Sequence, residues 1–275
     1  MPNQLMQPDL LERYLRILGI QKTAPDFDSL AKLVEAHQYR IPFENISKLY
    51  YKKYRGLHGI PDLELYLDGI ERYNFGGTCY SNNYYFYQLL TAVGYQVVLC
   101  GADMSEPDVH MVSIVTLEKR EYLIDVGYAA PFRLPLPRDL ATDYVITQGS
   151  DCYILKPQDA QGCSRMELFR DGNLKHGYLA KPIPKQIPDF EPAIHASFRE
   201  TATFMNTILL TRFFFDRFLV IHNLTVTESK GTATSLLTLT GREDLAQVIF
   251  EYFEIPSEIA IDVVNNLGQF EDAWN

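Results

Sequence analysis

Apolar residues in the first third of the chain recur every three to four positions, the spacing of one buried face of a helix. The first run covers residues 10–18 and ends at Gly19, which can adopt the left-handed turn that closes a helix. Later runs predict helices over residues 28–39, 60–73 and 79–94. We expect Asp28 or Ser29 to cap the second helix, and residues 1–95 to be helical.

From residue 96 onward the apolar positions alternate with polar ones, which is the period of a β-strand. This pattern covers residues 97–99, 110–115, 121–126, 144–146 and 152–155. The sequence Asp-Gly-Asn at Asp171–Asn173 is typical of a tight hairpin turn. The proline-rich stretch 181–188 is interpreted as a linker.

The last part of the chain mixes the two periods. Alternation covers residues 218–224 and 235–239, and a helical face then runs from Gly241 to Phe253. The sequence therefore predicts an α+β protein in three segments: helical over 1–95, strand-rich over 96–188 and mixed over 189–275.

Composition and charge exclude several classes of protein. The 275 residues are 47% hydrophobic and 22% charged, which excludes a disordered chain. There are 25 Lys+Arg against 35 Asp+Glu, and an acidic chain of net charge −10 is a poor binder of nucleic acid or anionic membranes. No apolar run reaches the roughly 20 residues that cross a bilayer, and the N-terminus lacks the features of a secretory signal.

The cysteines point to a reducing compartment. The chain has four of them, Cys79, Cys100, Cys152 and Cys163. They are too sparse for a disulfide framework and have no CxxC spacing, so no metal site is expected. We therefore expect free thiols and a cytoplasmic protein.

Cys79 differs from the other cysteines in its sequence setting. Gly76 and Gly77 allow a sharp turn immediately before it, and a predicted helix begins with it. The unpaired amides and the dipole of a helix N-terminus favour the thiolate, the nucleophilic form. The alternative is a small buried cysteine that follows a loop.

A thiolate nucleophile needs a base, and the base needs an orienting partner. His110 opens an alternating segment, and Asp125 interrupts an apolar one, where an unpaired carboxylate is costly to bury. Each also has an ordinary explanation, as a surface histidine at a strand end or a carboxylate bonded to a nearby turn. The order Cys79, His110, Asp125 indicates a catalytic cluster.

A contact between His110 and Asp125 sets a condition on the hairpin that joins their strands. Across an even loop, residues whose numbers sum to an odd value share a face, and this pair satisfies that rule. A turn centred on 119–120 would place Asp125 opposite Ile114, about 13 Å along the strand from His110. The contact then needs a bulge, or a turn nearer 117–118.

Four motifs, taken in order, resemble those of one enzyme family. Ile41–Asn45 contains Pro-Phe-Glu-Asn, and Gly76–Cys79 is similar to the end of an Arg-Gly-Gly-x-Cys motif. His110–Val112 and Asp125–Gly127 follow as counterparts of that family's His and Asp motifs. Together they resemble the arylamine N-acetyltransferases over nearly the whole chain.

The resemblance implies a helical bundle, a central β-barrel and a C-terminal α/β lid, around a core related to papain-like and transglutaminase-like enzymes. It implies ping-pong transfer from acetyl-CoA, in which Cys79 is acetylated, His110 moves protons and Asp125 holds the ring tautomer. The acceptor is then an arylamine, arylhydrazine or N-hydroxyarylamine. The motifs imply no metal and do not identify the residues that bind coenzyme A.

The chain departs from the family pattern before and after the cysteine. Phe75 stands where the family has Arg, so Glu44 of the Pro-Phe-Glu-Asn segment needs another partner, for which Arg40 and Arg72 are candidates. Ser81 stands where the family has Glu or Gln. These departures favour, as one alternative, a ligand-binding relative without catalysis.

A further departure lies beyond Asp125, where the chain reads Tyr-Ala-Ala-Pro at Tyr128–Pro131 instead of aromatic-Gly. This loop would border the pocket, and it favours as an alternative an amide synthase that uses another acyl thioester. A thiol hydrolase or transglutaminase-like enzyme shares the triad order and is a third alternative.

The stretch Lys48–Arg55 combines basic residues with tyrosines in an acidic chain. It can bind the phosphates of coenzyme A, or it can be a solvated loop face. The remaining histidines have no partner pattern and are interpreted as structural or surface residues; they are His37, His58, His176, His195 and His222.

Overall fold

The computed structural model describes residues 6–272, and five of the helices that it describes lie before residue 95, where the periodicity predicts a helical segment. The helices are α1 (Pro8–Leu18), α2 (Phe27–Arg40), α3 (Ile46–Arg55), α4 (Leu63–Tyr73), α5 (Cys79–Val93), α6 (Ile187–Ala196), α7 (Thr203–Asn206), α8 (Arg242–Phe253) and α9 (Ser257–Asn265). The strands are β1 (Phe43–Glu44), β2 (Gln96–Asp103), β3 (His110–Leu117), β4 (Arg120–Ile124), β5 (Leu136–Pro137), β6 (Tyr144–Gln148), β7 (Asp151–Leu155), β8 (Ser164–Arg170), β9 (Asn173–Pro184), β10 (Leu209–Phe213), β11 (Phe218–His222), β12 (Thr225–Lys230) and β13 (Ala233–Thr238). The predicted α+β class is confirmed. Within residues 6–272 no helix has the length and apolarity to span a membrane.

The first two helices begin and end on capping residues. Gly19 follows α1 with φ +69°, and its amide donates to the Arg16 carbonyl, so the predicted C-cap is confirmed. The predicted N-cap of α2 is wrong, because the Asp26 carboxylate accepts the Ser29 amide at 2.7 Å. The helix therefore starts before its first buried apolar residue. The periodicity of apolar positions detects that buried residue and not the true start of the helix.

The basic stretch discussed above as a loop face is helix α3, so the loop alternative is wrong. Ile46 and Leu49 lie about one turn apart on this helix and are buried in the core. Gly56 ends the helix in the left-handed conformation, with φ +61°. The basic side chains therefore project from a fixed helix.

The central sheet has eight antiparallel strands in the order β5-β4-β3-β2-β9-β8-β7-β6 and curls into half a barrel. Asp171 and Gly172 form the predicted hairpin turn between β8 and β9, with φ of +51° and +74°. The linker prediction over 181–188 is wrong, because β9 continues to Pro184 and α6 begins at Ile187. The β2–β9 ladder shifts register at this end, which is where a strand tolerates prolines.

A second antiparallel sheet, of order β1-β10-β11-β12-β13, joins the two ends of the chain. Phe43 of β1 pairs with Thr211 of β10. Ile46 lies in the same hydrophobic core as Leu210 and Ile249. The division into three segments stays a prediction, since this sheet takes strands from both the first and the last.

Helix α5 lies between two hydrophobic cores, which fixes its position. Tyr80 and Tyr87 pack into the core shared with the C-terminal sheet. Phe86 and Leu89 pack into the core formed with α1, α2 and α4. Since α5 carries Cys79 at its first position, this packing holds the cysteine in place.

Candidate active site

The backbone immediately before Cys79 passes so close to another backbone segment that only glycine fits there. A Cβ at Gly76 would lie 1.9 Å from the Pro42 carbonyl oxygen. The Glu44 amide donates to the Gly77 carbonyl at 3.1 Å, which ties this loop to β1. The chain then enters α5 with Cys79 as the first helical residue, as the sequence predicts.

Glu44 is fully buried and is satisfied by backbone amides. It accepts hydrogen bonds from the Gly76 amide at 3.0 Å and the Ser47 amide at 2.8 Å. Burial raises its pKa, and these hydrogen bonds oppose the rise. Neither Arg40 nor Arg72 pairs with it among the residues described, so those expected partners are wrong; Arg72 pairs with a carboxylate of its own helix.

Phe75, which stands where the family has an arginine, makes aromatic contacts. Its ring lies 5.2 to 5.8 Å, between centroids, from the rings of Tyr73, Tyr50 and Tyr51. It is 1% exposed. Because the backbone satisfies Glu44, this position can be apolar without leaving the carboxylate unpaired.

His110 and Asp125 are in contact, as the sequence predicts. The distance between Nε2 of His110 and Oδ2 of Asp125 is 2.8 Å, and both side chains are buried. Since Asp125 takes Nε2, the other ring nitrogen remains for a second partner.

The hairpin achieves this contact without a bulge. β3 and β4 pair continuously from Ser113–Ile124 to Leu117–Arg120, around a turn at 118–119 whose residues have φ of +49° and +68°. This register places Asp125 opposite Val112, two residues from His110, so the contact is diagonal. The turn is thus one residue earlier than the centre at 119–120 considered above.

Asn83 fixes the second oxygen of Asp125. Its Nδ2 donates to Oδ1 of Asp125 at 2.9 Å, and its own Oδ1 accepts the Val126 amide at 2.8 Å. Asn83 stands one helical turn after Cys79, so α5 carries both the thiol and the amide that orients the carboxylate. Our sequence analysis did not identify this role of Asn83.

Gly127 brings the Asp125 loop against the nucleophile's helix. Its amide donates to Oδ1 of Asp125 at 3.0 Å. A Cβ at this position would lie 2.7 Å from the Cys79 Cα. Any larger residue would push the loop away from α5.

The electrostatics of the cluster favour a charged imidazole. Burial opposes protonation of His110, but the Asp125 carboxylate and the Cys79 sulfur outweigh it, so the pKa of His110 is raised. The Cys79 sulfur is thus near enough to the ring to favour its charged form. The arrangement can hold an imidazolium between a thiolate and a carboxylate.

Aromatic residues enclose the His110 ring. Tyr178 lies 5.1 Å and Tyr128 lies 5.8 Å from it, between ring centroids. The Tyr128 hydroxyl is 2.9 Å from Nδ1 of His176. Our sequence analysis predicted no functional role for His176 or Tyr178, because their neighbours along the chain have no functional pattern.

The basic residues of α3 are tied to other parts of the chain. Lys48 donates to the carbonyl and the hydroxyl of Ser197 at 2.7 and 2.9 Å, and Lys52 donates to the Phe198 carbonyl at 3.1 Å. Lys53 pairs with Asp262 at 2.7 Å. Coenzyme A binding by this stretch stays a prediction.

Comparison with known proteins gives a consistent result. A family model described as N-acetyltransferase matches residues 26–261. The chain is 35% identical over 132 residues to proansamycin X synthase of Amycolatopsis mediterranei, covering 44% of this chain and 49% of that protein. It is 30% identical over 145 residues to the pineal gland isozyme of arylamine N-acetyltransferase from Gallus gallus, covering 48% and 47%. The chain thus spans about half the length of each of these relatives.

A solved structure extends the likeness to the whole fold. The arylamine N-acetyltransferase of Mycobacterium marinum, determined in complex with CoA, superimposes with a TM-score of 0.77 at 20% identity, over 94% of this chain and 99% of that one. At this identity the likeness concerns the fold. With the family match over most of its length, this chain belongs to the arylamine N-acetyltransferase family.

Proposed function

We propose that the chain transfers an acetyl group from acetyl-CoA to an aromatic amine or hydrazine, with Cys79, His110 and Asp125 as the catalytic residues. One observation carries the proposal. A buried cluster brings together the thiol at the start of α5, the imidazole and the carboxylate bonded to that imidazole. This cluster contains a nucleophile, a base and an orienting group.

In the first half-reaction the Cys79 thiolate attacks the thioester carbonyl of acetyl-CoA. The carbon–sulfur bond to coenzyme A breaks, and the departing sulfur takes the proton held by His110. Asp125 stabilises the charged imidazole before transfer and holds its orientation afterwards, as its 2.8 Å hydrogen bond allows.

In the second half-reaction a neutral amine attacks the acetyl group on Cys79. The amide bond forms, the carbon–sulfur bond to Cys79 breaks, and the amine proton passes to His110. The thiolate and the imidazolium are thereby restored. The half-buried ring of Tyr128 beside His110 supports an aryl acceptor, which can pack against it.

The compartment follows from the same chemistry. All four cysteines are free thiols, among them Cys79, which must stay reduced to react. A reducing cytoplasm preserves such thiols. We therefore place the proposed activity there.

Intact-protein mass spectrometry tests the proposal. Incubation with acetyl-CoA should add one acetyl group, located on Cys79, and an aryl hydrazine should remove it. Cys79→Ala should abolish labelling, whereas Cys152→Ser, which alters a half-buried thiol on β7, should leave it unchanged. Labelling of another cysteine, or none, contradicts the proposal.

A second candidate, an amide synthase that uses a larger acyl thioester, is supported by two observations. One is the similarity to proansamycin X synthase. The other is the Tyr128–Pro131 loop, where Ala129 takes a left-handed φ of +63° and Ala130 is buried. This candidate predicts acylation of Cys79 by larger acyl thioesters and no transfer of acetyl to arylamines.

A further inference from the structure

The loop over residues 128–134, between β4 and β5, has an unfavourable backbone conformation. Ala129 takes a left-handed φ of +63°, which crowds the side chain of any residue except glycine. Within the loop the Phe132 amide donates to the Ala130 carbonyl at 2.8 Å, which closes a turn of only three residues. Contacts with the rest of the molecule must therefore keep the loop in this conformation.

Tyr128 supplies such contacts through its ring and its hydroxyl. The ring packs edge-on against Tyr178, with 5.0 Å between centroids, and lies parallel to the Phe132 ring at 5.9 Å. The hydroxyl is 2.9 Å from Nδ1 of His176, and these two rings are stacked at 5.7 Å. Ring packing permits sliding and rotation, whereas a hydrogen bond is directional. The bond to His176 therefore fixes where the Tyr128 ring points.

His176 lies beside a β-bulge, which sets the direction of its side chain. It pairs with Leu168 of β8, and the ladder then skips Lys175 before it resumes toward the hairpin turn. Such a bulge redirects the side chains next to it and is common beside active sites. His176 and Tyr178, two residues apart on β9, thus share the face of the strand that meets Tyr128.

His176 is uncharged at neutral pH. Burial lowers its pKa, and the charge of the His110 imidazolium adds to this shift. A neutral imidazole accepts a hydrogen bond at one ring nitrogen and donates at the other. Because a phenol O–H is a stronger donor than the N–H of a neutral imidazole, the Tyr128 hydroxyl donates to Nδ1 and the ring proton of His176 lies on Nε2.

We infer that His176 is a positioning residue, whose hydrogen bond to Tyr128 holds that ring against the His110 imidazole and so fixes the surface that an aryl acceptor meets. The inference deepens the proposed transferase and rests on that function. His176 acts through Tyr128, whose ring centroid lies 5.8 Å from that of His110. Loss of the bond should therefore slow the acceptor half-reaction and spare the attack of Cys79 on acetyl-CoA.

Tyr128→Phe and His176→Leu each remove one partner of the hydrogen bond. In a ping-pong reaction kcat/KM for each substrate reports its own half-reaction. Each variant should lower kcat/KM for phenylhydrazine about five- to tenfold, the effect of one hydrogen bond. The value for acetyl-CoA, and the value for hydrazine, which has no aryl group, should change less than about twofold.

A double variant and a conservative variant distinguish positioning from a general loss of structure. Tyr128→Phe combined with His176→Leu should lose no more than the larger single loss, because the two groups share one bond. His176→Asn keeps an acceptor near the place of Nδ1 and should stay within about twofold of the wild type. His195→Leu, which removes an exposed imidazole from α6, is the matched control.

Nuclear magnetic resonance of isotope-labelled histidine rings detects the same contact without catalysis. The His176 ring should carry its proton on Nε2 in the wild type. His176→Leu should move the ring signals of His110, because the Tyr128 ring beside it is released. His176→Asn should restore those signals.

Three results overturn the inference: equal losses for hydrazine and phenylhydrazine, losses that add in the double variant, or unchanged kinetics in both single variants. The proposed function fails separately, through absence of acetyl-Cys79 in the wild type. In that case His110 signals that do not respond to His176→Leu would overturn the positioning role.

Discussion

Two buried histidines, in different parts of the molecule, have opposite electrostatics. His110 at the start of β3 is 1% exposed and bonds Asp125, and its pKa is raised. His37 on α2 is 0% exposed, packs edge-on against Phe86, and has no hydrogen-bond partner within residues 6–272. Burial lowers the pKa of His37 to about 3.

The comparison teaches that the partner, rather than burial, decides what a histidine can do. Asp125 is positioned by Asn83 and by the Gly127 amide, so one side-chain amide and one backbone amide maintain the carboxylate beside His110. Nothing of this kind surrounds His37, which serves as a core residue. Burial of a histidine among aromatic rings would therefore not by itself make that histidine a base.

Asp125→Asn is the strongest way to break the contrast. Without the carboxylate, His110 loses its counter-ion and its fixed tautomer and becomes electrostatically similar to His37. The proposed mechanism predicts that the rate of Cys79 acetylation falls about a thousandfold or more, by analogy with the Ser-His-Asp triad. Single-turnover mass spectrometry measures it, and Asp139→Asn, in an exposed pair with Arg120, serves as the control. A loss of less than about tenfold would contradict the assigned role of Asp125.

His37→Phe tests the other half of the contrast through stability. As the pH falls below 6.5 the unfolded state binds a proton at this histidine, whereas the folded state does so only near pH 3. Folding stability from this group is therefore full above pH 6.5 and decreases through that window, by about 3 kcal/mol at pH 4.

Urea unfolding at pH 7 and pH 4 measures this difference. His37→Phe should reduce the loss between the two pH values, while His195→Gln, an exposed histidine on α6, should not. Identical acid sensitivity in the wild type and in His37→Phe would contradict the assigned environment of His37.

Asn83→Ala sharpens the account of how Asp125 is held. The variant removes the amide from Oδ1 of Asp125 but leaves the His110 contact and the Gly127 amide. We expect a loss of about ten- to hundredfold in acetylation rate, since one orienting hydrogen bond disappears. The pH dependence of that rate should also shift, because the His110–Asp125 pair loosens. An unchanged rate and pH profile would argue against a positioning role.

The sequence predicted the contact between His110 and Asp125 better than some of the elements around it. Cys79 marks the start of a helix and His110 the start of a strand, and Asp125 follows the hairpin that returns to His110. All three are local features, which a sequence pattern can predict. Helix α3 was obscured because its tyrosines and lysines give few apolar positions, although Ile46 and Leu49 are buried.

Contacts between residues that lie far apart along the chain were the other limit of prediction from the sequence. The hydrogen bonds of Glu44 come from backbone amides, which have no sequence signature, so arginines were the wrong expectation. Lys48 contacts Ser197 and Phe198, which lie about 150 residues later along the chain. Only the folded chain brings such groups together.

Nuclear magnetic resonance of isotope-labelled histidine rings tests the central claim most directly. At pH 7.5 the account predicts that His110 carries protons on both nitrogens and that His37 carries one, with the His110 signals changing in Asp125→Asn. A neutral His110 ring at this pH, or a ring unaffected by the loss of the carboxylate, would contradict the claim that Asp125 holds an imidazolium beside the Cys79 sulfur.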